Sequence, residues 1–353
     1  MLVLGIESTC DETACSIVRD GREVLSNVIF SQTDLHNAFG GVFPELACRR
    51  HIDALIPVIK RALSDAAVSL FEIDLIAAAK GPGLIGALLI GLNAAKSLAY
   101  ARNIPFVGVN HVEAHLYAAM MPLDHPPLPA LGLVVSGGHT FIVKIDAIGS
   151  YQMLSTTQDD AIGEAFDKVA TLLGLGYPGG PAIEALAKSG NPKRFPFRAG
   201  KIKSHPQDFS FSGLKTNVLY TIKGQSASKH SPILISEKEK ADVAASFQET
   251  ALRDVVGKTI EAARSHACLA VYCGGGVSNN QRLRELFIEL GCPVPVYYPS
   301  ARMTLDNAAM IAGLGYHCYH LNGKGDGLDL EPMTRIPLSP ATPKLGVCPD
   351  DGC

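Results

Sequence analysis

One pattern occurs twice in this chain, and it restricts the fold more than any other feature. Near the N-terminus, "LVLGIEST", "ACSIVRDG" and "EVLSNVIF" alternate apolar and polar residues and are joined by short polar turns. Such a run reads as three strands of a β-meander. From Pro129 the theme returns: "PALGLVVSGG" ends in a glycine turn, "HTFIVKID" answers it as a hairpin partner, and "YQMLSTT" supplies a third strand. Each meander is followed by helices and further strands. After the first come a helix from about Pro44 to Ala67, the apolar run "LIAAAKGPG", a helix to about Arg102 and the strand "PFVGVN". After the second come helices over about 163–174, 212–224 and 236–266, the buried-type strand "CLAVYCGGG", a helix, the short strand "PVPVYYP" and a helix from about Leu305 to Leu321. The expectation is an α/β protein with a duplicated lobe, which a chain of 353 residues is long enough to build. The proline-rich "LDHPPLP" (123–129) reads as the joint. The expected division is a first lobe of residues 1–125 plus 300–322, a second of 126–299, and an irregular tail over 323–353.

Composition narrows the function classes. At 47% hydrophobic and 18% charged residues the chain is a packed globular protein and not a disordered one. The net charge of −3 excludes a global basic field, so any contact with nucleic acid has to come from a local patch. Nine scattered cysteines, with no C-x-x-C, argue against a disulfide framework or zinc ribbon and for a reducing compartment. "MLVLGIESTCDE" has no basic n-region, and the apolar run from Gly83 to Lys96 is too short to span a bilayer. A cytoplasmic protein without a membrane partner is expected.

Three glycine turns leave an element of structure: "SGGH" (136–139), "GYPGGP" (176–181) and "GGGVSNN" (274–280). Backbone N–H groups in such turns and at helix N-termini bind anions. Any one of them is explained as well by a tight turn, but three in a two-lobed chain point to one phosphate-bearing ligand. "GPGLIG" (81–86) matches G-x-G-x-x-G formally. Pro82 removes a donor, however, and no acid follows about 20 residues on, so it reads as a close-packed helix start. "ESTCDET" puts Glu7, Asp11 and Glu12 around the first hairpin turn, facing the expected cleft. In "DDAIGEAFDK", Asp160, Glu164 and Asp167 share one helix face. A solvated acidic face is the ordinary reading, yet apolar neighbours and the following glycine turn mark Asp167 as a group to hold a ribose or a proton.

"HVEAHLYAAM" (111–120) sets His111 and His115 one helical turn apart, where both imidazoles can reach one ion. A zinc peptidase needs H-E-x-x-H; here Val112 follows the first histidine and Glu113 lies rotated away. A third ligand has to come from elsewhere, and Asp306 in "TLDNAAMIAG" is a candidate. His317 and His320 sit at a helix end, where the helix dipole accounts for them. Finally, "NPKRFPFRAGKIKSH" carries Lys193, Arg194, Arg198, Lys201 and Lys203 without an acid, a solvated basic loop or a phosphate-backbone contact.

Ten motifs in order, "LGIESTCDET", "GGVFPELACRRH", "GPGLIGALLIG", "HVEAHLYA", "VVSGGHT", "DDAIGEAFDKVA", "LGYPGGP", "FSFSGLKT", "GGGVSNN" and "DNAAMIA", resemble the tRNA N6-adenosine threonylcarbamoyltransferase family, whose bacterial members were formerly labelled O-sialoglycoprotein endopeptidases. The resemblance covers about residues 2–316. It implies the actin/hexokinase/heat-shock-chaperone (ASKHA) fold, two duplicated RNase H-like lobes with a nucleotide cleft. It implies one divalent metal ion per subunit, iron(II) or otherwise zinc, on His111, His115 and Asp306. The adenylate would lie along Val134, Val135, Ser136, Gly137 and Gly138, with Asp167, Gly180 and Asn280 on the nucleoside and Glu184 assisting. The implied reaction moves threonylcarbamoyl from threonylcarbamoyl-AMP to N6 of the adenosine 3′ of the anticodon (position 37) in tRNAs reading A-starting codons. Implied partners are tRNA, a paralogous ASKHA subunit and a small P-loop ATPase.

The adenine amine is a weak nucleophile because its lone pair is delocalised, and Asp11 or Glu12 is the candidate to accept its proton. The family usually has Thr directly before the metal-binding Asp, where this chain has Leu305, with Thr304 one earlier. Rival readings are a metal-dependent glycoprotein endopeptidase, which lacks its adjacent Glu, and an ASKHA small-molecule kinase, which has no need of a His–His–Asp site. A non-catalytic ASKHA scaffold is a third, disfavoured by retention of both histidines and every glycine turn.

Overall fold

The structure, a computed structural model, describes residues 1–37, 42–225 and 231–338. Strands β1 (Leu2–Glu7), β2 (Glu12–Arg19) and β3 (Glu23–Ser31) form the first antiparallel meander. Its register brings Glu7 opposite Ala14, which leaves Ser8 to Asp11 as the turn. Helices α1 (Thr33–Asn37) and α2 (Pro44–Asp65) lead into β4 (Leu75–Gly81), α3 (Ile85–Arg102), β5 (Phe106–Asn110) and α4 (His111–Met120). The sheet order is β3-β2-β1-β4-β5, with β4 parallel to both β1 and β5.

The second half repeats this plan. A meander of β6 (Ala130–Val135), β7 (Thr140–Ala147) and β8 (Ser150–Thr156) is followed by α5 (Ile162–Leu173), α6 (Gly179–Ala187), α7 (Ser212–Lys223) and α8 (Glu237–Ser265). Then come β9 (Val271–Gly274), α9 (Gln281–Glu289), β10 (Val296–Tyr297) and α10 (Ala308–Asn322). The order β10-β9-β6-β7-β8 is that of the first sheet, strand for strand. The duplication expected from the two meanders is thus present in the hydrogen bonding.

Burial explains why the central strands read as nearly continuous apolar runs. Val3, Leu4 and Ile6 of β1 and Leu75, Ile76 and Ala77 of β4 are all buried, because helices cover both faces of the sheet. On one face Leu55, Val58 and Ile59 of α2 and Leu92 of α3 close the core. On the other, α4 and α10 form a middle layer, and one apolar cluster runs from Val3 and Val107 through Leu116 and Met310 to Val134 and Val143 of the second sheet. Helices α5 to α9 cover the outer face of that second sheet. Small residues at Ala308, Ala309, Ala312 and Gly313 keep α10 thin enough for this central position.

Three details differ from the sequence reading. The helix expected to follow "GYPGGP" starts inside that motif, at Gly179, and runs for nine residues with no side-chain cap. The last helix starts at Ala308, not Leu305, because Asn307 is the residue whose side chain accepts from the Met310 N–H. Asp306 therefore sits in the turn before the helix. Residues 323–338 carry no helix or strand, yet they are tied to the first sheet: the Asp326 N–H donates to Phe106 O (2.7 Å) and its carboxylate accepts from the Gly108 N–H (2.8 Å). The remainder of the expected tail, 339–353, lies outside the described residues.

Candidate active site

The two lobes enclose a cleft of about 740 Å³. The first lobe lines it with Thr9 to Glu12 and Pro82 to Leu84, the second with Ser136 to His139, Asp167 and Tyr177. At its floor lie the histidines of α4 and Asp306.

Local structure fixes the histidine pair. Asn110 caps α4, its Oδ1 accepting from the Val112 N–H (3.0 Å), so His111 and His115 start the helix on one face. Their rings stand 4.7 Å apart, edge to face. Asp306 comes from 191 residues away to lie 3.1 Å from His115 Nε2 and 3.5 Å from His111 Nε2. One ligand atom from each residue falls within 4.8 Å of the others. Behind His111 stands the fully buried Glu7, with Oε2 2.9 Å from Nδ1 and Oε1 accepting from the Thr9 N–H (2.7 Å). An ionised Glu7 keeps the hydrogen on Nδ1 and leaves Nε2 bare toward Asp306, the arrangement in which a carboxylate orients a metal-binding histidine. Two imidazole nitrogens and a carboxylate converging on one point fit a divalent ion, so the cluster could hold a metal.

Electrostatics agree with that fit. Burial opposes charge on His111, but the Glu7 and Asp306 carboxylates outweigh it and raise the imidazole to about 9. Burial would raise Asp306, yet the histidines hold its carboxyl below the usual range. His139, buried and facing both metal-site histidines, is pushed down to about 4. Glu12 stands well above the usual carboxylate range, first by burial and then by repulsion from Asp306 and Asp11. Its Oε1 accepts from the Ser31 hydroxyl (3.2 Å). The Asp11–Glu12 turn is pinned by His51 of α2, whose ring meets Cys10 O (3.0 Å) and Thr13 Oγ1 (2.7 Å).

The three glycine turns adjoin one another, and the Gly274 backbone lies against His115. The Gly163 N–H at the start of α5 donates to Ser136 O (3.1 Å), and Ser136 Oγ accepts from the His139 N–H (3.0 Å). A Cβ on Gly137 or Gly138 would meet nothing within 4 Å, so that backbone faces open space. Gly275 has φ +91° and lies against Val135 so closely that a Cβ would be 2.5 Å from its carbonyl oxygen. Only glycine permits this contact. The third turn is held by Asp167, which accepts from the Gly179 N–H (2.7 Å) and whose carboxyl burial raises.

Of the residues read from sequence, Asp11, Glu12, His111, His115 and Asp306 line the cleft, as do Ser136, Gly137, Gly138 and Asp167. The others stand back from it. Val134 and Val135 are fully buried in β6 and carry the glycine turn. Asn280 caps α9 through the Leu283 N–H (3.2 Å) and donates to Gln248 (2.9 Å). Glu184 accepts from the Gln281 N–H (2.9 Å) and lines a separate hollow with Gln248 and Arg282. The Gly180 backbone donates to Asp167, with open space where a side chain would be. His317 rests on Tyr117 (2.9 Å). Sequence reading passed over Glu7 as an orienting group, and His139, Tyr177 and Arg335 as lining groups. Their sole signal was adjacency to motifs, and Arg335 lacked even that.

Two sheets of one topology around a cleft lined by glycine turns define the ASKHA class of two-lobed proteins. Among solved structures the chain is similar to Thermococcus kodakarensis HypF (TM-score 0.61, 14% identity, 91% of this chain and 48% of that one). It is also similar to the ROK hexokinase of Thermus thermophilus (TM-score 0.50, 15% identity, 92% and 99%). At such identities these show the fold alone. A family model described as TsaD, tRNA N6-adenosine threonylcarbamoyltransferase, matches residues 23–313. A curated protein of that name from Protochlamydia amoebophila (strain UWE25) is 59% identical over 341 residues, covering 96% of this chain and 98% of the relative. The chain belongs to the tRNA N6-adenosine threonylcarbamoyltransferase family, and is an enzyme of the transferase class. No helix among the described residues is long and apolar enough to cross a membrane.

Proposed function

We propose that the cleft transfers threonylcarbamoyl from threonylcarbamoyl-AMP to N6 of adenosine 37 in tRNAs reading A-starting codons. The observation that carries this reading is the meeting of a His–His–Asp cluster with an open glycine turn across one cleft. The donor is a mixed anhydride. The N–H groups of Ser136 to Gly138 receive its phosphate and the negative charge that grows there as AMP leaves. His111, His115 and Asp306 would hold one divalent ion, iron(II) or else zinc as nitrogen-rich donors favour, and that ion supplies Lewis acidity at the reacting acyl phosphate. N6 attacks the carbamoyl carbon, the bond to phosphate oxygen breaks, and the N6 proton passes to the Asp11–Glu12 pair. Burial and the neighbouring carboxylates raise Glu12, which favours its holding a proton.

Asp167, which holds the third turn, faces the nucleoside together with Gly180 and Asn280, and Glu184 assists. The exposed loop with Lys193, Arg194, Arg198, Lys201 and Lys203 offers a phosphate-backbone contact for tRNA. The exposed Ile52, Ile56, Ile85 and Leu89 of α2 and α3 support docking of a paralogous ASKHA subunit. A small P-loop ATPase completes the assembly, which works in the cytoplasm where tRNA is. A peptidase reading lacks its base: Glu113 is buried and absent from the cleft lining. The test is reconstitution of the protein and its partners with donor and unmodified tRNA, read by nucleoside mass spectrometry. Threonylcarbamoyladenosine is expected; none above the protein-free control would overturn the reading.

A further inference from the structure

We infer that the C-terminal strap delivers Arg335 into the cleft to bind the carboxylate of the donor's threonyl group, an inference that rests on the function proposed above. The strap is held along its length. Asp326 is tied to β5, Lys96 Nζ donates to Leu330 O, and the Met333 N–H donates to Lys80 O (2.8 Å). Beyond Arg335, Pro337 O accepts from Asn110 Nδ2 (3.3 Å). Anchors therefore stand two residues to either side of Arg335. Gly81 has φ +141°, and a Cβ there would lie 1.9 Å from Met333 O. The strap's seat thus depends on a glycine in the loop that itself leads to the cleft.

Charge identifies the task. Among the described residues the cleft lining holds five carboxylates, on Asp11, Glu12, Glu164, Asp167 and Asp306, a single guanidinium, Arg335, and no lysine. The donor is anionic at both ends: its phosphate at one, the α-carboxylate of threonine at the other. The phosphate has the second-lobe glycine turn. The carboxylate, at the acyl end, lies away from that turn, and Arg335 is the guanidinium that the described lining offers it. Arg335 is exposed and makes no ion pair or hydrogen bond among the described residues, so its planar fork is free for bidentate binding of a carboxylate. Such a contact also selects: an acyl adenylate without a carboxylate at this position gains nothing from it.

The test compares wild type, Arg335→Gln and Arg335→Lys in the reconstituted reaction, with threonylcarbamoyl-AMP and with its analogue whose carboxylate is a primary amide. Arg335→Gln is expected to raise the donor KM about 30-fold or more while leaving the tRNA KM unchanged. Arg335→Lys restores part of the loss. The amide donor is expected to be equally poor with wild type and Arg335→Gln, and AMP, which lacks the carboxylate, to bind both equally. An unchanged donor KM overturns the inference. A rise in tRNA KM instead assigns Arg335 to an RNA phosphate and also overturns it, as does an Arg335→Gln loss that is as large with the amide donor as with the carboxylate donor. A wild type that makes no product removes the function reading itself, whereas an active wild type with an indifferent Arg335→Gln removes only this inference. Unfolding midpoints equal to wild type are expected for both variants, since the side chain is exposed.

Discussion

Replacing Glu7 by Gln tests whether the carboxylate behind His111 builds the metal site. The substitution keeps shape and volume in a fully buried place. The amide oxygen can still accept from the Thr9 N–H, now 2.7 Å from Glu7 Oε1. The NH₂ group then faces His111 Nδ1, currently 2.9 Å from Oε2. A donor there makes Nδ1 an acceptor and moves the ring hydrogen to Nε2, the atom that should bind metal. Loss of such an orienting partner weakens metal binding roughly 10- to 100-fold, about 1.4–2.7 kcal/mol. Protons complicate the measurement in a way that sharpens it. In the metal-free protein His111 is raised to about 9, so a proton competes with the ion below that pH. Glu7 causes much of that rise, and the variant relieves the competition while losing the orientation. The two affinities should therefore lie closest near pH 6 and separate as pH approaches 9. Competition between protein and a chelator for zinc, run across this range, reads both quantities. Equal affinities at pH 9, or a constant gap at every pH, would refute the reasoning.

In the metal-free protein the raised His111 contributes stability that is complete below its ordinary 6.5 and is lost as pH rises through about 9. The unfolding temperature of chelator-treated protein should fall over that window, and Glu7→Gln should flatten the fall. Asp11→Asn and Glu12→Gln together should lower kcat by about 10²- to 10⁴-fold with little change in donor KM, read in single-turnover transfer; a double variant at the wild-type rate removes the proton-acceptor role. Gly275→Ala places a methyl 2.5 Å from Val135 O at φ +91° and should cost about 1–3 kcal/mol in denaturant unfolding, with weakened AMP binding. An unchanged midpoint would show that the turn yields.

The fold was legible where its periodicity was local. Each meander declares itself by alternation within eight or nine residues, and its repetition declares the duplication. The metal cluster was legible in part: His111 and His115 share a helical period, whereas Asp306 needed the family resemblance as well as its chemistry. Glu7 was read only as one acid of the first hairpin turn. It closes "LVLGIE" as an ordinary strand end, and its partner lies 104 residues on. Asn280 and Glu184 came from the family resemblance, and the structure adds what no pattern showed: one caps α9 and the other accepts from its first N–H. Arg335 escaped notice because a strap without periodicity gives no sequence pattern, only contacts.

The site also explains how an acid-rich cleft can accept an anion. Five lining carboxylates against one guanidinium would repel an acyl adenylate strongly. Three of the five, however, have something to neutralise them. Glu164 is paired with Lys168 at 2.7 Å. Glu12, pushed up to about 10 by burial and by its neighbours, carries a proton. Asp306 faces His111, charged in the metal-free state, and would face a divalent ion once metal is bound. Two helix N-termini, those of α4 and α10, point their positive ends at the same floor and add a favourable contribution for anions of about 0.3–1 kcal/mol each. The field therefore depends on the loading of the His–His–Asp cluster. Protonated His111 can supply one unit of charge and a divalent ion two, so the loaded cleft is the one with the stronger attraction for the donor. The acids that remain ionised near the acyl end keep the proton-accepting chemistry, and a single arginine on a separately anchored strap decides which acyl group can lie beside them.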